Sequence, residues 1–202
     1  MKLTLYGLKQ TRSVRPQWLM EELGLKYEMV NINIFKGEGF MKSYRKIHPY
    51  GLLPALDIDG QIIFESGAIC HWLTDMYPEK ALAPAIGTPL RAKYEQWMFF
   101  VTATLEPYAW HFMLHSKILP QTKRIAALAD WNREQYIYHL KVLNRLLNDK
   151  KYLLGENFST ADIMLGYLLF WFPDLLEKFS ELNRYSKKLK NRKAYLSVVN
   201  GS

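Results

Sequence analysis

Two short stretches carry residue types whose spacing suits ligand recognition. In Leu52-Leu53-Pro54-Ala55-Leu56 a proline opens an apolar run. Proline has no N–H, so it starts a strand only where that donor is not needed. Ahead of a hairpin and a helix, this placement predicts a cis Leu53–Pro54 bond at a ligand-facing strand start. Leu53 would then offer its backbone N–H and C=O outward, able to pair antiparallel with an extended, peptide-like ligand. The alternative is an ordinary edge-strand proline. In Phe64-Glu65-Ser66-Gly67-Ala68-Ile69, Ser66 stands where a helix begins. A helix N-terminus has free N–H groups and partial positive charge, which suit a carboxylate. Ser66 adds a hydroxyl donor and Glu65 can hold an ammonium, so the pair matches an amino-acid head group. The alternative is a plain Ser N-cap.

Two further patterns read as structural. Phe158-Ser159-Thr160-Ala161-Asp162 is a capping box with Asp in place of Glu, with Phe158 as its apolar staple. His111 and His115 are spaced i, i+4, as a metal pair would be. No third ligand has matching spacing and HExxH is absent, so no metal is expected.

The elements that would position these residues follow from periodicity. Leu3, Leu5 and Tyr6 open a strand, Lys9–Ser13 is a loop, and Ser13–Leu23 is a helix stopped by Gly24. Tyr27–Ile34 is a strand, Phe40–Ile47 a short helix, and Leu53–Ile58 and Gln61–Phe64 a hairpin turned by Asp59-Gly60. Ser66–Met76 closes the series, giving β-α-β-α-β-β-α. Residues 79–89 contain Pro84, Gly87 and Pro89 and read as a linker. Beyond it only helices are expected: 90–115 bent near Pro107, 122–147, a buried 161–172, and one or two basic amphipathic helices over 174–199. The chain thus divides into an α/β domain, 1–78, and an all-helical domain, 90–202.

Length and composition agree. A chain of 202 residues with 49% hydrophobic and 23% charged residues is globular, not disordered. The net charge of +8 raises the question of nucleic acid. Residues 1–80 carry 10 basic and 9 acidic groups, and residues 81–202 carry 17 and 10, so the excess sits in the helical half. The basic run Arg184, Lys187, Lys188, Lys190, Arg192 and Lys193 has only Tyr185 for stacking. It reads as a solvated helix face, and nucleic acid is not expected. The single cysteine, Cys70, excludes an intrachain disulfide and fits a reducing cytoplasm. The N-terminal apolar run is too short for a signal peptide, and no stretch approaches ~20 apolar residues, so no membrane span is expected.

These pieces together resemble the cytosolic glutathione S-transferase superfamily over almost the whole chain. The likeness rests on His48-Pro49-Tyr50-Gly51-Leu52-Leu53-Pro54-Ala55-Leu56, Glu65-Ser66, the linker, and Phe158-Ser159-Thr160-Ala161-Asp162. His48 and Leu53 stand where the family's usual pattern has Asn and Val. The resemblance implies an α/β thioredoxin-like N-terminal domain with a mixed four-stranded sheet and an all-α C-terminal bundle. It implies glutathione as co-substrate: Glu65 and Ser66 at the γ-glutamyl end, and Leu53 on the cysteinyl main chain beside cis Pro54. It implies conjugation of the thiolate to a small electrophile, and a homodimer using Phe64 and the exposed side of 90–100. A free thiol is mostly protonated at neutral pH, so a hydroxyl donor should activate it. Thr11-Arg12-Ser13-Val14-Arg15 resembles the bacterial-type Ser-Arg-Ser-x-Arg loop, which nominates Thr11 first and Ser13 second. Tyr6 is read as a core aromatic, and Arg12 and Arg15 as further acidifying groups or solvated charges. Cys70 is misplaced for the cysteine-type branch. Tyr108, Trp110, His111 and His115 are expected to line the electrophile pocket between the domains, or to pack there. Two other readings remain: a non-catalytic binding or regulatory relative, and a glutathione-dependent isomerase or peroxidase.

Overall fold

A computed structural model describes residues 1–201. The chain divides into two compact units. The first runs from Met1 to Ala83 and takes back the segment from Asn191, while the second is Pro84–Lys190.

The first unit is built on a four-stranded sheet of order β2-β1-β3-β4. Its strands are β1 (Leu3–Gly7), β2 (Glu28–Asn31), β3 (Ala55–Ile58) and β4 (Gln61–Phe64). β1 runs parallel to β2 and antiparallel to β3, which is antiparallel to β4. Asp59 and Gly60 both have positive φ, 50° and 94°. That is the twist a two-residue hairpin turn requires and the reason glycine follows the aspartate. Two strands are shorter than their apolar runs. β3 starts at Ala55 because Pro54 cannot donate to the ladder. β2 ends at Asn31, and Asn33 then caps a single 3-10 turn by accepting the Lys36 N–H.

Three helices alternate with the strands: α1 (Val14–Leu23), the single turn α2 (Lys42–Arg45) and α3 (Ser66–Met76). α1 stops at Gly24, whose φ of 72° lets Leu25 N–H reach back to Met20 C=O. Leu3, Leu5 and Leu56 of the sheet are buried together with Trp18, Leu19, Ile69 and Leu73 of the helices. Each buried side chain contributes about 1.5–3 kcal/mol relative to exposure.

The second unit is helical. α4 (Pro89–Phe99) passes through a π-helical turn, Phe100–Leu105, into α5 (Glu106–Met113). The expected bend at Pro107 is thus a widened turn just ahead of the proline, where the missing N–H breaks the regular ladder. A second π turn covers Leu114–Ile118, and α6 (Ala126–Leu146) follows. Every residue of α7 (Thr160–Leu169) is buried, as its apolar composition requires. α8 (Pro173–Leu176) and α9 (Ser180–Lys190) complete the unit.

The capping box forms as expected. Asp162 is fully buried and accepts from Ser159 N–H (2.8 Å), Ser159 Oγ (2.9 Å), Leu153 N–H (2.8 Å) and Tyr185 O–H (2.7 Å). Burial pushes its carboxyl up, and these four bonds oppose the shift.

By its contacts the end of the chain, from Asn191, joins the first compact unit. The last helix, α10 (Lys193–Asn200), packs on α1 in the first unit. Tyr195 lies 4.9 Å from Trp18, and Arg192 grips Glu22 through two bonds of 2.6 and 2.8 Å. Lys9 donates to the Gly201 carbonyl. The basic run is therefore not simply a solvated face. Arg184 closes the end of α6 on the carbonyls of Leu147 and Lys150, Lys188 sits 4.2 Å over the Tyr152 ring, and Lys190 lies over Phe170.

Candidate functional site

Sheet register gathers the nominated residues of the first unit. Tyr6, Ala55 and Phe64 form one cross-strand row: Tyr6 pairs with Ala55, and Ala55 with Phe64. One step beyond that row lie Gly7 and the loop to Thr11, then Pro54, then Glu65 and Ser66. All three segments leave the sheet at the same end.

The Leu53–Pro54 bond is cis. Both residues are buried, yet the N–H and C=O of Leu53 make no hydrogen bond to any described residue. They remain available for an antiparallel main chain. Their support is aromatic. Tyr44 O–H donates to Leu52 C=O at 2.6 Å. The His48 ring is 4% exposed, lies 4.7 Å from Phe64, and accepts the Tyr50 N–H at Nδ1 (3.3 Å). That acceptor role requires the neutral imidazole with its proton on Nε2.

Burial holds the His48 imidazole below its ordinary value of 6.5, with Glu65 pulling the other way. A base whose folded value is depressed contributes stability above the unfolded value. That contribution is lost as pH falls from about 6.5 through the depressed value. The stability advantage of the native chain over His48→Asn should therefore shrink on acidification from pH 8 to 5. Urea titrations read it, and an advantage constant with pH would refute this account.

Glu65 and Ser66 adopt a conformation the sequence did not announce. Glu65 has φ 75° and is the N-cap residue of α3, without a side-chain cap bond. A non-glycine residue at such φ is uncommon and is held there by its surroundings. Ser66 is therefore the first helical residue, not its cap, and is buried at 4% exposure. Arg15, 1% exposed on α1, donates to Ser66 Oγ at 3.4 Å. With that bond taken by one lone pair, the Ser66 O–H is still able to donate. Arg15 is thus not a solvated charge, and it links the starts of α1 and α3. Its sequence signal is its place four residues before Leu19 and eight before Leu23, on the apolar face.

The hydroxyls separate clearly. Ser13 is fully buried, while Thr11 and Tyr6 are half-buried. Thr11 Oγ1 donates to Leu8 C=O at 2.7 Å and lies 2.9 Å from Ser13 Oγ. The Tyr6 ring is 6.2 Å from Tyr44, and burial raises its hydroxyl above the ordinary value. A Cβ on Gly7 would meet the Ser13 Cβ at 2.6 Å, so only glycine lets the loop close on the strand.

Two family models match the chain: "Glutathione S-transferase, N-terminal domain" over residues 1–75, and "Glutathione S-transferase, C-terminal domain" over residues 97–202. The chain belongs to the glutathione S-transferase family. It is similar to "Glutathione S-transferase hmp2" of Hypomyces subiculosus, at 27% identity over 98% of each chain. It is 32% identical to the "Disulfide-bond oxidoreductase YfcG" of Escherichia coli, over 71% of this chain and 68% of that one. Its fold superposes on the glutathione transferase URE2P6 of Phanerochaete chrysosporium, solved with oxidized glutathione. There the TM-score is 0.89 at 26% identity, over 98% of this chain and 95% of the other.

The remaining residues of this transferase-family chain place as follows. Cys70 is fully buried on α3, and burial pushes its thiol up to about 12, with Arg15 opposing. A thiol so protonated is a poor nucleophile. Tyr108 and His111 belong to the second unit. Tyr108 stacks on His139 of α6 at 5.4 Å, and His111 is exposed on α5. His115 Nδ1 accepts the Ile125 N–H (3.3 Å), which accounts for one of the i, i+4 histidines. Among the described residues no group of three or more His, Cys, Asp or Glu side chains could hold a metal, and no helix is long and apolar enough to cross a membrane.

Proposed function

We propose that the chain is a glutathione transferase that joins the glutathione thiolate to a small electrophile. One observation carries the reading: the open Leu53 main chain at the cis bond, Glu65-Ser66, and Thr11 all leave one end of one sheet. Leu53 takes the cysteinyl main chain of glutathione, and the Ser66 hydroxyl and α3 N-terminus take its γ-glutamyl carboxylate. Exposed Glu65 takes the ammonium. Thr11 then stands at the sulfur. The thiol gives its proton to solvent, and Thr11 O–H donates to the resulting thiolate. The sulfur lone pair forms the new C–S bond, and the leaving group departs with its bonding electrons. A cytoplasmic homodimer belongs to the same reading, and a sedimentation mass of one chain would remove the dimer.

Retention on immobilised glutathione, followed by conjugation of chloro-dinitrobenzene, tests the proposal. No retention would sink the glutathione site; retention without turnover on any electrophile would favour the non-catalytic binding reading. Ser66→Ala should weaken glutathione binding by about 1–3 kcal/mol, read by calorimetry, because a buried donor to a carboxylate is lost.

The relative named as a disulfide-bond oxidoreductase favours a second reading. Glutathione thiolate would attack a disulfide, form a mixed disulfide and release the other thiolate. Buried Cys70 offers no thiol for this, so a second glutathione would have to resolve the intermediate. Turnover of hydroxyethyl disulfide without conjugation of electrophiles would select it. Isomerase or peroxidase activity would emerge from the same substrate panel.

A further inference from the structure

The turn before α1 holds a closed ring of hydrogen bonds whose proton positions can be assigned. Thr11 Oγ1 lies 2.7 Å from the Leu8 carbonyl, which has no proton to give, so the single Thr11 proton is in that bond. The 2.9 Å contact between Thr11 Oγ1 and Ser13 Oγ must then carry the Ser13 proton. Ser13 Oγ in turn accepts the Leu8 N–H at 3.3 Å, and Thr11 Oγ1 also lies 3.3 Å from the Ser13 N–H. Ser13 makes no side-chain cap bond to α1, although it occupies the capping position. Its hydroxyl is directed back at the turn. It is fully buried and lies against Gly7.

We propose that Ser13 is a positioning residue for Thr11, donating to Thr11 Oγ1 so that the Thr11 proton is the one presented to the bound sulfur. This rests on the reading of Thr11 as the hydroxyl at the glutathione sulfur. Two donors from Ser13 fill the acceptor side of the Thr11 oxygen. Only its own O–H can then turn, from the Leu8 carbonyl to the thiolate. Accepting a hydrogen bond also polarises that O–H and strengthens its outgoing bond. A second-position serine two residues after the threonine is thereby given a function that does not require it to touch glutathione.

The test is a double-mutant cycle on the full chain with Thr11→Val, Ser13→Ala and the pair. The readouts are the ultraviolet absorbance of the bound glutathione thiolate as a function of pH, together with kcat and KM. Ser13→Ala removes one oxygen from a packed site, and circular dichroism with a thermal midpoint checks that the fold is kept. We expect Thr11→Val to lower the thiolate fraction at neutral pH about tenfold and Ser13→Ala about threefold, with KM for glutathione within about twofold. In the Thr11→Val background, Ser13→Ala should change neither the thiolate titration nor kcat. An equal effect of Ser13→Ala in both backgrounds overturns the proposal, since Ser13 would then act independently of Thr11. An unchanged thiolate titration in Ser13→Ala alone also overturns it while leaving the Thr11 reading intact. An unchanged titration in Thr11→Val removes that reading and the proposal with it.

Discussion

Asp162→Ala is expected to destabilise the protein by about 3–5 kcal/mol, a large part of a typical domain's total stability. The loss has a specific origin. Alanine leaves Leu153 N–H, Ser159 N–H and Tyr185 O–H without their acceptor, and all three residues are buried at 4%, 3% and 0% exposure. Each buried donor left unpaired costs roughly 1–3 kcal/mol, and shared relaxation keeps the total below the simple sum. For a chain of this size the thermal midpoint should fall by about 10 °C or more. Asp162→Asn is the control. It keeps one acceptor oxygen for Tyr185 and Leu153 but turns an NH2 donor toward Ser159 N–H, so its loss should be roughly half. An alanine variant within about 1 kcal/mol of the native chain in urea titration would show that the box only decorates a helix fixed by apolar packing.

The same side chain ties together elements distant in sequence. Leu153 lies in the loop before α7, Ser159 at its start, and Tyr185 on α9. Losing Asp162 should therefore loosen the loop and α9 along with α7. Glutathione affinity per folded molecule should be kept, because the candidate site belongs to the other compact unit.

What the sequence disclosed follows from how local each signal is. Asp59-Gly60 and Ser159-x-x-Asp162 specify their own backbone within four residues, and both formed as expected. The cis bond at Pro54 was legible because a proline at the start of an apolar strand has few ways to be accommodated. Features that depend on partners far along the chain were not legible. Arg192 meets Glu22 across 170 residues, so nothing local assigns α10 to the first unit. Arg15's place on the apolar face of α1 hints at burial, but its partner Ser66, 51 residues on, is not legible locally. Glu65 at positive φ contradicts its own propensity, which is how strain imposed by the surrounding structure presents itself in sequence. At the first turn, the family resemblance nominated Thr11 first and Ser13 second. The structure adds a difference in burial between them: Ser13 is buried and Thr11 half-buried.

Thr11→Val is expected to lower kcat/KM for conjugation by ~10²-fold, about 2.7 kcal/mol of transition-state stabilisation, while glutathione affinity changes by less than about threefold. Valine reproduces the shape and the β-branch and removes only the hydroxyl. In the free protein the Thr11 proton rests on Leu8 C=O at 2.7 Å. Turning it to a thiolate exchanges a neutral hydrogen bond for a charge-assisted one, roughly twice as strong. Leu8 is half-buried, so water can serve the carbonyl left behind. The exchange is therefore downhill once the sulfur is ionised, and it favours ionisation for the same reason. Binding itself draws on Leu53, Ser66 and the α3 N-terminus, none of which the substitution touches. Hence the loss should appear in kcat and in the pH midpoint of thiolate formation, which should move up, rather than in KM. Thr11→Ser keeps the donor and should retain activity within about fivefold, its extra rotamer freedom accounting for the difference. Full activity in Thr11→Val would transfer the task to Ser13 or to main-chain donors at the start of α1.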